Sequence, residues 1–161
     1  MEWSEIIHSV PTTAGVGADL PCEEELAIIH HNYSSITQYL DRLNNYTTAQ
    51  AELLVKESYD FSPSDLITKP ANEFLSRYFQ GQGYKDGVHG LALSGLQAFS
   101  EFVVYLKVWE KIKFEERHLT LRRTVEVMKQ VESDLHFWQA DSLFNEHGGI
   151  IHRIKRKFKL R

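Results

Sequence analysis

Eight histidines are the first residues in this chain that could do chemistry, and a bound divalent metal is the chemistry they would suggest. Their spacing argues against it. No two share a helix face four residues apart, His30 and His31 are adjacent and so point about 100° apart on a helix, and the single cysteine, Cys22, has no partner nearby in sequence. Solvated or structural roles suit them better, and no metal ligand set is expected. Gly81-Gln82-Gly83-Tyr84-Lys85-Asp86-Gly87 has the glycines of a phosphate loop without their spacing, and no strand precedes it, so a turn between helices is the expectation. There is no nucleophile elbow and no Asp-x-Asp pair, and Glu115-Glu116 reads as the solvated face of a charged helix. By chemistry alone the chain is not a self-sufficient enzyme.

The elements that would carry these residues are mainly α-helical: a short extended lead followed by four or more helices. Glu5 to Val10 could form a strand, broken by Pro11 to Gly17, and a short helix could begin within Glu23 to Ile29. Ser35-Ile36-Thr37-Gln38 is a capping box, and behind it Ile36, Tyr39, Leu40, Leu43, Tyr46, Leu53 and Leu54 recur near one face, which predicts a helix to about Glu57. Ser62-Pro63-Ser64-Asp65 reads as a turn. Pro70 suits the first position of the next helix, which would show Phe74, Leu75, Tyr78 and Phe79 before Gly81 stops it. Asp86 could cap a third helix in the apolar run Val88 to Phe114, and Leu119 to Phe144 continues in helical pattern.

Charge is unevenly placed. Six of the last ten residues are basic (Arg153, Lys155, Arg156, Lys157, Lys159 and Arg161), leaving 12 basic against 22 acidic residues in the rest. A cationic tail on an acidic body implies an anionic partner, and without a nucleic-acid-binding motif a lipid surface fits better than nucleic acid. One cysteine and no signal-peptide pattern at the N-terminus fit a reducing, cytoplasmic setting.

Val88 to Leu106 is nearly long enough to span a bilayer, but Glu101 at mid-depth would cost roughly 2.5–3.5 kcal/mol. The better readings are a buried core helix, or a helix lying in the membrane interface with Phe99, Phe102, Val103, Leu106 and Trp109 facing lipid. Tyr105 and its aromatic neighbours suit the headgroup level, and each Lys or Arg of the tail adds about 1 kcal/mol beside an anionic leaflet.

Two blocks carry a family resemblance. The run from Glu25 through His30, Tyr33 and Tyr39 to Asn44-Asn45-Tyr46-Thr47 resembles the stretch that follows the catalytic domain of bacterial family 2 glycosyltransferases of the cell-envelope, lipopolysaccharide-core type. Lys69-Pro70, Phe74, Tyr78, Gly83-Tyr84-Lys85-Asp86-Gly87, Gly90 and the helix ending Leu106-Lys107-Val108-Trp109-Glu110 resemble that family's C-terminal amphipathic region. Trp3 and Ile7-His8 are similar to the element that closes the nucleotide-sugar domain, with Ser9 where the family often has Glu. The resemblance implies residues 1–33 as the remnant of the end of a GT-A-like catalytic domain and 34–114 as a helical membrane-associating module; it does not account for 115–161, which reads as an additional helix with the basic tail. It implies that the metal-binding Asp-x-Asp and catalytic base lie on a missing N-terminal domain or split partner, with Mg or Mn, a nucleotide-sugar and a glycan or lipid-linked acceptor belonging to the complete enzyme and no cofactor bound by this chain alone. By the same resemblance His30, and more weakly His8, could approach the donor diphosphate or its metal, against a structural role at a helix start. The expected location is peripheral, on the inner face of the plasma membrane. The competing expectation is a non-enzymatic helical adaptor for membranes or protein partners.

Overall fold

The computed structural model describes residue 19, residues 21–27 and residues 33–148. Among these the chain is all helix: a 3-10 turn at Glu24–Leu26, then α1 (Ile36–Lys56), α2 (Asp65–Leu75), α3 (Gly87–Lys111) and α4 (Leu121–His147). The short extended lead falls outside the described residues, apart from that single turn.

Helix α1 starts where its capping chemistry says it must. The Gln38 N–H donates to Ser35 Oγ at 3.1 Å, satisfying one orphan donor, and the Gln38 side-chain oxygen reaches one residue past the cap to accept the Ser34 N–H at 2.9 Å. Its buried ridge is Tyr39, Leu43, Thr47 and Ala51, spaced by four. Thr47 is tolerated there because its hydroxyl donates to the Leu43 carbonyl at 2.8 Å.

Helix α2 corrects the sequence expectation. It begins at Asp65, and Pro70 lies inside it rather than opening it. The start signal is Ser62-Pro63-Ser64-Asp65, where the Asp65 carboxylate accepts the Ser62 N–H at 2.8 Å and the Tyr59 hydroxyl at 3.1 Å. A serine, a proline at the next position and an acid three residues on make a stronger start than Pro70 alone. Burial, then the neighbouring Asp65 carboxylate, pushes the Tyr59 hydroxyl up to about 12, so Tyr59 stays a neutral donor. Past Leu75 the chain widens into a π turn, Ser76–Gln80, closed by the Gly81 N–H on the Ser76 carbonyl at 2.7 Å.

The reversal into α3 needs backbone freedom at two places. Gln82 sits at φ +60°, and Gly87 at φ +58° with ψ −130°, a conformation open in practice to glycine alone. Asp86 occupies the N-cap position of α3, but its side chain makes no capping hydrogen bond. The 3-10 turn Gly83–Asp86 then lies directly on α3 at Gly90.

Helix α3 is the centre of the bundle. It packs against α1 and α2, whereas α4 packs on α2 and the π turn and does not reach α3 among the described residues. The main core joins Ala51, Phe61, Val104, Tyr105 and Val108. Lys69 of α2 lies over the rings of Tyr59 and Tyr105, 5.6 and 5.2 Å from their centroids. Lys107 locks α3 to α1 through the Asn44 carbonyl at 2.6 Å, Asn44 Oδ1 at 2.8 Å and Thr48 Oγ1 at 2.7 Å. The two sequence blocks that carry the resemblance therefore meet, through Asn44 and Lys107. After α3, Lys113 and Phe114 turn at positive φ, and the Trp109 indole N–H donates to the Glu115 carbonyl at 3.0 Å. Glu115 and Glu116 thus sit in the loop before α4 rather than on a helix face, because Thr120 caps α4 only afterwards, accepting the Arg123 N–H at 3.1 Å.

Candidate functional site

Helix α3 is apolar on both sides, and only one side is covered. Its buried face runs through Gly90, Ser94, Val104, Tyr105 and Val108. On the opposite side Val88, Leu91, Ala92, Gly95 and Phe99 follow at helical spacing and form one exposed stripe, with Val88 82%, Leu91 48% and Phe99 48% open to solvent. Phe102, Val103, Leu106 and Trp109 continue that side and are half-buried. A helix apolar all round normally lies in a core, and here no described element lies over the outer half. The stretch Gly83–Lys111 is long and apolar enough to cross a membrane by length and composition.

Of the side chains expected to meet lipid, Phe99 lies on the open stripe and Phe102 and Trp109 at its half-buried end. Tyr105 is a correction. It is 6% exposed and packed against Tyr59, with ring centroids 5.6 Å apart and the rings tilted at 57°, because it falls on the inner side of α3. Trp109 also serves the fold, stacking on Phe61 at 6.4 Å and meeting Phe114 edge-on at 5.2 Å. Arg153, Lys155, Arg156, Lys157 and Lys159 lie outside the described residues, as do His8 and His30.

Glu101 points the other way from the stripe. Burial chiefly, and the Glu73 carboxylate next, raise its pKa above the ordinary range, with Lys69, Gln50 and Arg77 pulling the other way. An acid whose folded pKa is raised contributes stability below its unfolded pKa and loses it as pH rises through the folded value. Glu101→Gln is therefore expected to raise the melting temperature at pH 7, with the gain closing below about pH 4, the unfolded carboxylate range. Equal melting temperatures at pH 7 would show that the carboxylate is not strained there.

The second feature is a groove of about 1230 Å³ between the start of α1, the π turn and the first turns of α3. Ile36, Tyr39, Leu93 and Leu96 give it apolar walls, and Glu73, Arg77, Gln80, Ser94 and Gln97 give it polar groups. Arg77 Nε donates to Glu73 Oε1 at 2.7 Å, so its charge is already paired. Tyr33 meets Tyr39 edge-on with centroids 4.9 Å apart. Burial first, then Tyr33 beside it, raises the Tyr39 hydroxyl pKa, with Arg77 pulling the other way.

The lower end of the stripe is readable from helical periodicity, and its upper half, Val88 to Gly95, follows from the same count. The groove is not readable, because it exists only once the glycine-rich reversal brings α3 back toward α1. Among the described residues no group of three His, Cys, Asp or Glu side chains is placed to hold a metal ion. The chain matches no family model, no curated protein and no solved structure.

Proposed function

We propose that this chain is a helical docking module that holds a sugar-transferring enzyme of the family 2 glycosyltransferase type against an anionic membrane, on its cytoplasmic face. The observation that carries the docking half is the uncovered stripe Val88, Leu91, Ala92, Gly95 and Phe99 on the outer side of α3. Contiguous exposed apolar surface marks a binding surface. Lying flat, α3 would put this stripe into the headgroup boundary and keep Glu101 on the protein side, a geometry that spares the acid the cost it would meet in a span. Charge complementarity favours an anionic leaflet over a neutral protein face: the six basic residues of the last ten supply the second, electrostatic anchor that stable peripheral binding requires.

The glycosyltransferase half is supported by the resemblance of residues 25–47 and 69–110. It implies a divalent metal and a nucleotide-sugar, and among the described residues no group of three His, Cys, Asp or Glu side chains is placed to hold the metal. We assign them, with the catalytic base, to a separate domain, and give His30 and His8 no step in the transfer. Sugar transfer by the purified chain alone would remove that assignment.

Vesicle co-sedimentation tests the docking role. The chain is expected to bind vesicles containing a third phosphatidylglycerol, to bind pure phosphatidylcholine far less, and to be released as salt rises. Leu91→Asp with Phe99→Asp is expected to weaken binding at least tenfold, since burying each such side chain is worth about 1.5–3 kcal/mol when complete. Both side chains are exposed, so the melting temperature should hardly move. Undiminished binding by the double variant would overturn the docking surface.

A further inference from the structure

We infer that the groove between α1 and α3 is a binding site for a neutral saccharide chain. Two of its lining residues, Tyr39 and Ser94, carry hydroxyls that nothing among the described residues satisfies. Ser94 is 3% exposed and Tyr39 is 5% exposed, both line the groove, and neither side chain makes a hydrogen bond among the described residues. Buried polar groups in folded proteins are paired with very few exceptions, and those exceptions call for a ligand or an ordered water. Two such residues lining one open groove point to an occupant with several hydroxyls to offer.

The charge pattern selects the class. Arg77 is the cation among the described lining residues, and its Nε is already held by Glu73, while Asp86 adds a further acid to the lining. At the start of α1 the Gln38 N–H is taken by Ser35 Oγ, and the Ser34 N–H ahead of the helix by the Gln38 side chain. A phosphate or carboxylate would meet a lining whose cation is already shared with Glu73 and which carries Asp86 besides. An extended peptide fits no better, because the walls are helices whose backbone groups are already paired internally and present no strand edge for augmentation. A sugar ring offers both things the walls offer: C–H faces for Ile36 and Leu93, and hydroxyls for Ser94, Tyr39 and the Gln97 amide. At about 1230 Å³ the groove exceeds the usual range for one small molecule and suits a short chain of rings.

This inference goes beyond membrane docking and does not require it, so it is tested with soluble glycans and no lipid. The full chain is applied to an array of neutral and acidic oligosaccharides, and the best neutral hit is titrated by calorimetry. Binding is expected to neutral glycans, and Ser94→Ala and Tyr39→Phe, which remove one hydroxyl each with almost no change of volume, are expected to weaken it at least tenfold apiece. The same variants are expected to leave the melting temperature of the free protein unchanged or slightly higher, which a hydroxyl that merely supported the fold would not do. An array with no neutral hit, hits confined to acidic glycans, or affinity unmoved by both variants would each overturn the site. Vesicle binding is measured separately, so its loss and the loss of glycan binding are read apart.

Discussion

Alanine at Gly90 is expected to destabilise the bundle by about 3 kcal/mol or more, while alanine at Gly95, five residues along the same helix, is expected to stabilise it by about 0.5–1 kcal/mol. Both glycines are interior to α3, and intrinsic helix propensity favours alanine at each. What separates them is the surroundings. A Cβ on Gly90 would sit 1.7 Å from the Gly83 carbonyl oxygen and 2.6 Å from its carbon, whereas a Cβ on Gly95 meets nothing within 4 Å. The obstacle at Gly90 is backbone, which cannot rotate aside as a side chain would, so the whole turn Gly83–Asp86 must lift from α3. That turn also carries the Gly87 conformation that no other residue adopts easily. Urea denaturation of the two variants checks the pair. A neutral Gly90→Ala would mean that the turn does not lie on the helix, and the groove it helps to wall would lose its shape with it. Gly95→Ala lies on the open stripe and should leave vesicle binding intact.

The same pair shows why some of this molecule is legible from its sequence and some is not. Helix α1 begins and ends within a residue of where its capping box and periodicity place it, because the groups that fix its start, Ser34, Ser35 and Gln38, are neighbours in the chain. Its buried ridge is less legible. Tyr39 and Leu43 announce themselves, but Thr47 and Ala51 are buried because α3 arrives over them, and Ile36, Leu40 and Tyr46 are left outside. At α2, Pro70 misleads because a proline at the first helical position is common, while the serine, proline and acid at 62–65 hold the true start. Periodicity alone places Phe99 and Phe102 on one side of α3, and a strict count puts Tyr105 on the other. The groove lies beyond such a count, since Tyr39 and Ser94 are 55 positions apart and come together only through the glycine reversal.

Two phenylalanines divide folding from docking, and their substitution gives the second large expected effect. Phe61→Ala is expected to cost about 3–5 kcal/mol, the usual range for removing a buried ring that its neighbours cannot collapse to replace. Phe61 is 3% exposed, in the cluster with Ala51, Val104 and Val108, and it lies flat beneath Trp109 with 14° between the ring planes. Trp109 in turn holds Phe114 and the Glu115 carbonyl, so the cavity would release the loop that leads into α4. With Trp3 and Trp138 replaced by phenylalanine, the emission of Trp109 should shift to the red in the Phe61→Ala background well before global unfolding. Phe99→Ala should cost under about 1 kcal/mol, because nearly half its surface is already in water and no described element lies over it. Its loss should appear instead as weaker vesicle binding. If Phe99→Ala destabilised the free chain as much as Phe61→Ala, the outer side of α3 would have to be covered in solution, and a covered stripe could not be the surface that meets lipid.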